Sequence, residues 1–314
     1  MSTELVAHSI FSFVSGLSIA VTGFGCDAAR ELFAVLSQGP NAFPVSSAIN
    51  MGLTAGLVTA VQAIMQRRLI NGGLLLNVLP LTFIGVVLSL NVFSTSVRTA
   101  FVPALGACML GLSLAKLWME LSDCRHKGSV RDTEGDGRPG PNSWKWTGIL
   151  AIASLVSGLL GNRCPPPGPA FMVVLLAGGG GASLVSGGEW RATASLVTCS
   201  ASLLRVGLLL LENGASVGPM SEMTVLLAGG LVGLGVGNFS LRLIYSVKGG
   251  ADAEQRRTPP PATFRRMVLA VALASSVAMA TGGPPAALAT VGRQVTLAAL
   301  LLVCVVAVVG GLWG

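Results

Sequence analysis

The feature of this chain that most limits its fold is a series of apolar runs, each about as long as a bilayer is thick. Such runs occupy residues 46–65, 74–93, 101–119, 193–211, 223–244, 267–280 with its flanks, and 295–313. Charged residues make up 11% of the sequence, whereas soluble domains carry about a quarter. The composition therefore predicts a polytopic integral membrane protein.

Glycine is abundant, with 41 residues, and several glycines are spaced about one helical turn apart. Gly52 and Gly56 form one such pair, and Gly229, Gly233 and Gly237 form a longer stripe. Small residues at this spacing let membrane helices approach closely. We expect both sets to pack helices together rather than to bind a ligand.

Two apolar blocks flank a polar linker and resemble each other. Residues 13–17 (FVSGL) recur as residues 155–159 (LVSGL), and a cluster of helix-breaking residues follows each copy. Further along, residues 80–89 with Gly85 parallel residues 228–237 with Gly233. Short matches in the same order favour a duplication. The predicted units are a first repeat at 1–121, a linker at 122–143, a second repeat at 144–284 and an added helix at 285–314.

The charges decide how the two repeats are oriented. If each broken segment were one kinked spanning helix, the repeats would run parallel and the basic loops would be split across the membrane. If each segment is a re-entrant hairpin, the repeats are inverted, and 14 of the 20 Lys and Arg residues share one face. The positive-inside rule selects the hairpin model and places that face in the cytoplasm.

The predicted fold is thus an all-α polytopic membrane protein. It has two inverted repeats, each opening with a broken helical hairpin, and one extra C-terminal transmembrane helix. Helix breaks at corresponding positions of two repeats indicate the binding site of a transporter, and a helix N-terminus after a break suits an anion. The predicted substrate-binding residues come from both breaks and from one apolar run: Thr22, Gly23, Gly25, Cys26, Asn162, Arg163, Cys164, Gly168 and Arg205.

Each of these assignments has a structural alternative. Arg163 could snorkel to the cytoplasmic face or pair within its hairpin. Arg205 could have a buried partner, with Glu212 seven residues further along the same run. Cys26 and Cys164 could be small buried apolar groups, as free cysteines usually are. The glycines could simply permit the turn at each break.

In the order of these motifs the chain resembles the TauE/SafE sulfite-exporter family, also called the toluene-sulfonate uptake permease family. The similar segments are the glycine-rich breaks at 16–26 and 158–169, the helix entries at 190–195 and 264–267, and the run that starts at 80–85. The second break departs from the family's GxGGP pattern, since residues 161–169 read GNRCPPPGP. The resemblance implies a permease for small anions such as sulfite, sulfonates or related organic anions.

Other functions have less support in the sequence. The two histidines, His8 and His126, stand apart, and no hydrolase, zincin or P-loop motif occurs, so we expect neither an enzyme nor a metal or cofactor site. The basic residues form no stripe with interleaved aromatics, which argues against nucleic acid. We expect a multi-pass transporter of the plasma membrane whose partners are a small anion and the bilayer. A non-transporting membrane scaffold or sensor is the alternative, and a homodimer is left open.

Overall fold

The computed structural model describes four stretches of the chain, residues 3–23, 45–91, 187–213 and 217–246, and the single residues 110, 111, 114, 151, 152, 154, 155 and 158. The stretches form five long helices and one short one: α1 (Thr3–Thr22), α2 (Val45–Met65), the 3-10 helix Arg67–Leu69, α3 (Gly72–Asn91), α4 (Gly187–Asn213) and α5 (Met220–Ser246). These residues include no strand, so the predicted all-α fold is confirmed for them. The predicted linker (122–143) and added helix (285–314) lie outside the described residues.

Two of the helices are long and apolar enough to cross a membrane. These spans are Gly188–Leu211 within α4 and Met220–Arg242 within α5. The other three helices contain shorter apolar stretches, at His8–Thr22, Ile49–Met65 and Gly72–Leu88. Length and composition therefore support association with a membrane.

The described helices expose apolar side chains and bury polar ones. Leu211 on α4 and Ile64 on α2 are 83% and 67% exposed, whereas Gln62 on α2 and Ser202 on α4 are completely buried. In water this arrangement would leave much apolar area in contact with solvent, at a cost of about 25 cal/mol per Å². Lipid tails remove that cost, because they are as apolar as the side chains that face them.

Glycines on α5 bring this helix against α1. A Cβ atom on Gly229 would lie 2.9 Å from the Ser9 carbonyl oxygen, and one on Gly237 would lie 2.5 Å from the Ala20 Cβ. A Cβ atom on Gly233, which lies between them, would likewise collide with the α1 backbone at Phe13. The expected packing role of this stripe is confirmed. Because residue numbers rise together along the contact, α1 and α5 run parallel.

α2 and α4 cross in opposite directions. A Cβ atom on Gly52 would lie 2.7 Å from Val206 Cγ2, and one on Gly56 would lie 3.3 Å from Leu203 Cδ2. Residue numbers rise on α2 as they fall on α4, so the two helices are antiparallel. The expected packing role of this glycine pair is confirmed as well.

α2 packs along α5 in the same direction. The Asn50 Nδ2 donates to the Pro219 carbonyl at 3.4 Å near the start of both helices, and the Asn238 Nδ2 donates to Gln62 Oε1 at 2.8 Å further along. Both α1 and α2 are therefore parallel to α5 and point the same way. The end of α1 and the start of α2 lie at opposite ends of the bundle.

In each of two helix pairs, the two helices share a pattern of buried positions. Over residues 49–64 of α2, every buried position has a buried counterpart in residues 192–207 of α4. Over residues 72–88 of α3, the buried, half-buried and exposed positions recur in residues 220–236 of α5, apart from positions 77 and 83. The second pair contains the sequence match between residues 80–89 and 228–237.

Candidate functional site

α4 carries a narrow stripe of polar side chains that the bundle buries. The members of this polar stripe are each at most 7% exposed: Arg191, Ser195, Thr198, Ser202 and Arg205. Their spacings of four, three, four and three residues hold them within about 80° of the helix circumference. Apolar residues such as Leu203 and Leu211 take the exposed positions of the same helix.

Arg205 places a cation inside an apolar helix. Its side chain is 4% exposed, and the residue lies within the membrane-length span Gly188–Leu211. A guanidinium does not lose its proton in proteins, so this charge is permanent. Charged residues within membrane helices face protein or a hydrated cavity and are usually functional. Glu212, which the sequence analysis considered as a partner of Arg205, belongs to the same helix, which continues to Asn213.

Two hydroxyl groups of the polar stripe have unused hydrogen-bonding capacity. Thr198 Oγ1 and Ser202 Oγ are buried and have no hydrogen-bond partner within the described part of the chain. An unsatisfied buried polar group costs about 1–3 kcal/mol, so most buried hydroxyls have a partner. These two lie on the same helix face as the Arg205 guanidinium. Two hydroxyl donors and a permanent cation together suit a small oxyanion.

α2 comes close to α4 beside Ser202 because it has no side chain there. A Cβ atom on Gly56 would lie 3.8 Å from the Ser202 Cβ. Almost one turn further along α2, Thr59 donates to the Ala55 carbonyl at 2.6 Å and shares a hydrogen bond with the buried Cys199 thiol. The crossing of the two helices is therefore lined by small and polar groups.

At one end of the polar stripe, α4 binds the end of α1. The Arg191 Nη1 donates to the Ala20 carbonyl at 3.1 Å, and the Ser195 Oγ donates to the Gly23 carbonyl at 3.4 Å, both in buried surroundings. The last carbonyl groups of a helix carry partial negative charge, so a cation is favourable at this position. Arg191 thus fixes the end of α1 against the start of α4.

Gly23 and Thr22 have structural contacts at this point. Gly23 follows α1 with φ +82°, and its N–H donates to the Ile19 carbonyl at 2.8 Å. A Cβ atom on Gly23 would lie 2.7 Å from the Arg191 carbonyl oxygen, so only glycine fits. The Thr22 hydroxyl donates to the Ser18 carbonyl at 2.9 Å in its own helix. The substrate-binding role of both residues stays a prediction.

The structure does not bring all the predicted binding residues together. Thr22 and Gly23 lie near Arg191, whereas Arg205 is four turns further along α4, about 21 Å away at 1.5 Å per residue. The remaining predicted residues lie outside the described residues: Gly25, Cys26, Asn162, Arg163, Cys164 and Gly168.

Sequence reasoning missed four members of the polar stripe: Arg191, Ser195, Thr198 and Ser202. The sequence analysis used Arg191 only as one of the basic residues that indicate the topology and as part of the helix entry at 190–195. The available signal was the regular spacing of polar residues inside an apolar run, which predicts one polar helix face.

A second polar cluster lies at the other end of the bundle, where α5 begins. Glu222 Oε2 accepts a hydrogen bond from Asn50 Nδ2 at 3.0 Å, and Glu222 Oε1 lies 3.2 Å from His8 Nε2. The His8 and Glu222 side chains are 15% and 14% exposed. This acid–histidine cluster (His8, Asn50 and Glu222) connects α1, α2 and α5. Within the described ranges, no group of three or more His, Cys, Asp or Glu residues could hold a metal ion.

Comparison with known proteins provides no relative, because the chain matches no protein-family model, no curated protein and no solved structure. The resemblance to the TauE/SafE family stays a prediction that depends on the motifs described above.

Proposed function

We propose that the chain is a multi-pass membrane transporter, a secondary permease that moves small anions by alternating access along the polar stripe of α4. The observation that carries the proposal is the burial of Thr198, Ser202 and Arg205 on one face of a helix whose exposed positions are apolar. The TauE/SafE resemblance implies sulfite, sulfonates or related organic anions as the substrate class. The plasma membrane is the proposed location.

Helix directions support an inverted repeat. α2 and α4 share a burial pattern and run antiparallel, as equivalent helices do when their repeats are related by an axis in the membrane plane. α1 and α2 point the same way, which agrees with a first repeat that opens with a hairpin returning to its starting side. Inverted repeats favour alternating access, since one repeat can rock against the other around a fixed site.

The ends of the bundle support this topology as well. The Asn71 N–H donates to Thr193 Oγ1 at 3.0 Å, so the start of α3 and the start of α4 lie at the same end. Arg67 and Arg68 precede this contact and are exposed, and Arg191 lies near it on α4. Positive charge gathered at one end agrees with a cytoplasmic position for that end.

A non-transporting membrane scaffold or sensor is the second candidate function. The close glycine contacts between α1 and α5 favour it as much as they favour a transporter, because rigid packing serves both. The polar stripe distinguishes the two candidates. A scaffold gains nothing from two buried hydroxyl groups that lack a partner among the described residues, because they lower stability.

Anion flux through reconstituted protein tests the proposal. Proteoliposomes would contain wild type, Arg205→Gln or the control Arg242→Gln, which removes an exposed arginine from α5. Loss of a charged hydrogen bond costs about 1.5–3 kcal/mol, so uptake of labelled sulfite or a sulfonate should fall roughly tenfold or more in Arg205→Gln. Arg242→Gln should transport like wild type. Wild-type flux in Arg205→Gln would remove this residue from the path, and no flux of any small anion would favour the scaffold.

A further inference from the structure

An imidazole and a carboxylate face each other at the start of α5. His8 Nε2 lies 3.2 Å from Glu222 Oε1, and both side chains are largely buried. The second carboxylate oxygen accepts a hydrogen bond from Asn50 on α2 at 3.0 Å. Asn50 therefore holds one oxygen of Glu222, and His8 lies beside the other.

The charged groups around this pair come from α1 and α5. Among the described side chains, α1 contributes His8 and α5 contributes Glu222 in its first turn. α2 contains no acidic or basic residue and contributes the neutral Asn50. With a neutral imidazole the pair carries one negative charge, and binding of one proton makes it neutral overall.

The acid–histidine cluster lies at the level of Arg205 along the bundle. Asn50 is two residues from Gly52 on α2, and a Cβ atom on Gly52 would lie 2.7 Å from Val206 Cγ2 on α4. Val206 directly follows Arg205. A negative charge at the level of Arg205 weakens the attraction of this arginine for an anion, and a proton bound to the pair removes that effect.

We propose that His8 and Glu222 together bind the proton whose movement is coupled to anion transport, so that the chain is a proton–anion symporter. The proposal rests on the transport function proposed above. Histidine is the side chain whose charge ordinarily changes between pH 5 and 8.

A pH-sensitive dye trapped inside proteoliposomes tests proton movement directly. When methanesulfonate is added outside, wild type should acidify the interior, because each anion enters with a proton. Glu222→Gln should lose at least tenfold of the acidification rate. The control Glu189→Gln changes a carboxylate at the start of α4, at the other end of the bundle, and should keep the wild-type rate. Acidification at the wild-type rate in Glu222→Gln would overturn the proton site.

Transport assays then test the coupling. The probe is a labelled sulfonate such as methanesulfonate, whose own charge does not change in this pH range. Glu222→Gln should lose at least tenfold of the accumulation driven by a pH gradient while it retains exchange of labelled for unlabelled anion. Accumulation at the wild-type level would overturn the coupling.

A second variant, His8→Gln, distinguishes a loss of coupling from a general loss of activity in Glu222→Gln. His8→Gln leaves the contact between Asn50 and Glu222 in place. Loss of accumulation with retained exchange in His8→Gln supports the coupling. Accumulation at the wild-type level in this variant, or loss of exchange in both variants, would overturn it. A wild-type protein that moves no anion at all defeats the proposed function instead, whereas anion movement without acidification defeats the coupling alone.

Discussion

Gly16 and Gly158 make the same contact with two different helices. A Cβ atom on Gly16 would lie 2.9 Å from the Leu234 amide nitrogen on α5, and one on Gly158 would lie 2.8 Å from the Val86 amide nitrogen on α3. In each case a backbone carbonyl oxygen one turn earlier on the same helix lies closer still to the added Cβ atom: that of Gly230 on α5 and that of Thr82 on α3. The sequence repeat pairs Gly16 with Gly158 and Val86 with Leu234. This reciprocal packing supports a duplication on grounds other than sequence similarity.

The first prediction concerns two neighbouring glycines of α5. Gly233→Ala should destabilise the protein, because the added methyl would collide with the Phe13 backbone of α1. Overpacking of a closely packed site costs about 1–3 kcal/mol. Gly235 has no atom within 4 Å of its Cβ position among the described residues, so Gly235→Ala should be neutral or stabilising. Thermal unfolding in detergent measures both, and equal midpoints would contradict the close contact.

Helix positions and glycine contacts could be predicted from sequence, because both follow from local patterns. The predicted run 46–65 is the helix Val45–Met65, and the predicted 223–244 lies within Met220–Ser246. The helix Thr3–Thr22 is absent from the predicted runs, since its first turns contain Glu4, His8 and several hydroxyl groups.

The polar site could be predicted only in part. Arg205 can be identified alone, as a charge in an apolar run, whereas a single serine or threonine there gives no such signal. The mean hydropathy of the run does not distinguish the faces of its helix, so only the spacing of Ser202 from the other polar residues predicts a polar face. Whether that face meets protein or lipid depends on what packs against α4. The contact between His8 and Glu222 joins residues far apart in sequence, and it depends on the parallel packing of α1 and α5.

The second prediction separates function from stability in the polar stripe. Ser202→Ala removes a buried hydroxyl group without a described partner, so the free energy of unfolding should stay the same or rise. If the hydroxyl binds the anion, KM for the anion should rise about five- to tenfold, as expected for the loss of one hydrogen bond of about 1 kcal/mol. The control Ser240→Ala removes a hydroxyl that bonds the Val236 carbonyl in its own helix and should leave KM unchanged. Unchanged KM together with lower stability in Ser202→Ala would assign Ser202 a structural role.

The third prediction concerns the amide pair between α2 and α5. The Asn238 Nδ2 donates to Gln62 Oε1 at 2.8 Å, and Gln62 is completely buried. A double-mutant cycle with Gln62→Ala and Asn238→Ala should give a coupling free energy of about 0.6 kcal/mol, the average for hydrogen bonds between membrane helices. Unfolding in mixed micelles measures it. Strictly additive effects of the two substitutions would show that the bond contributes nothing to stability.

The fourth prediction tests which described residues lie at each end of the bundle. In a background with all six cysteines replaced, Arg68→Cys and Glu189→Cys should react with a membrane-impermeant thiol reagent from one side only, and from the same side. They flank the bond between the start of α3 and the start of α4. Val217→Cys should react from the opposite side, because it lies just before the contact of Pro219 with the start of α2. Leu57→Cys is the control: this exposed position lies in the middle of α2, and lipid should protect it from both sides. Labelling of Arg68→Cys from outside intact cells would contradict the cytoplasmic position of this end, and labelling of Arg68→Cys and Val217→Cys from one side would contradict the spanning orientation of α2.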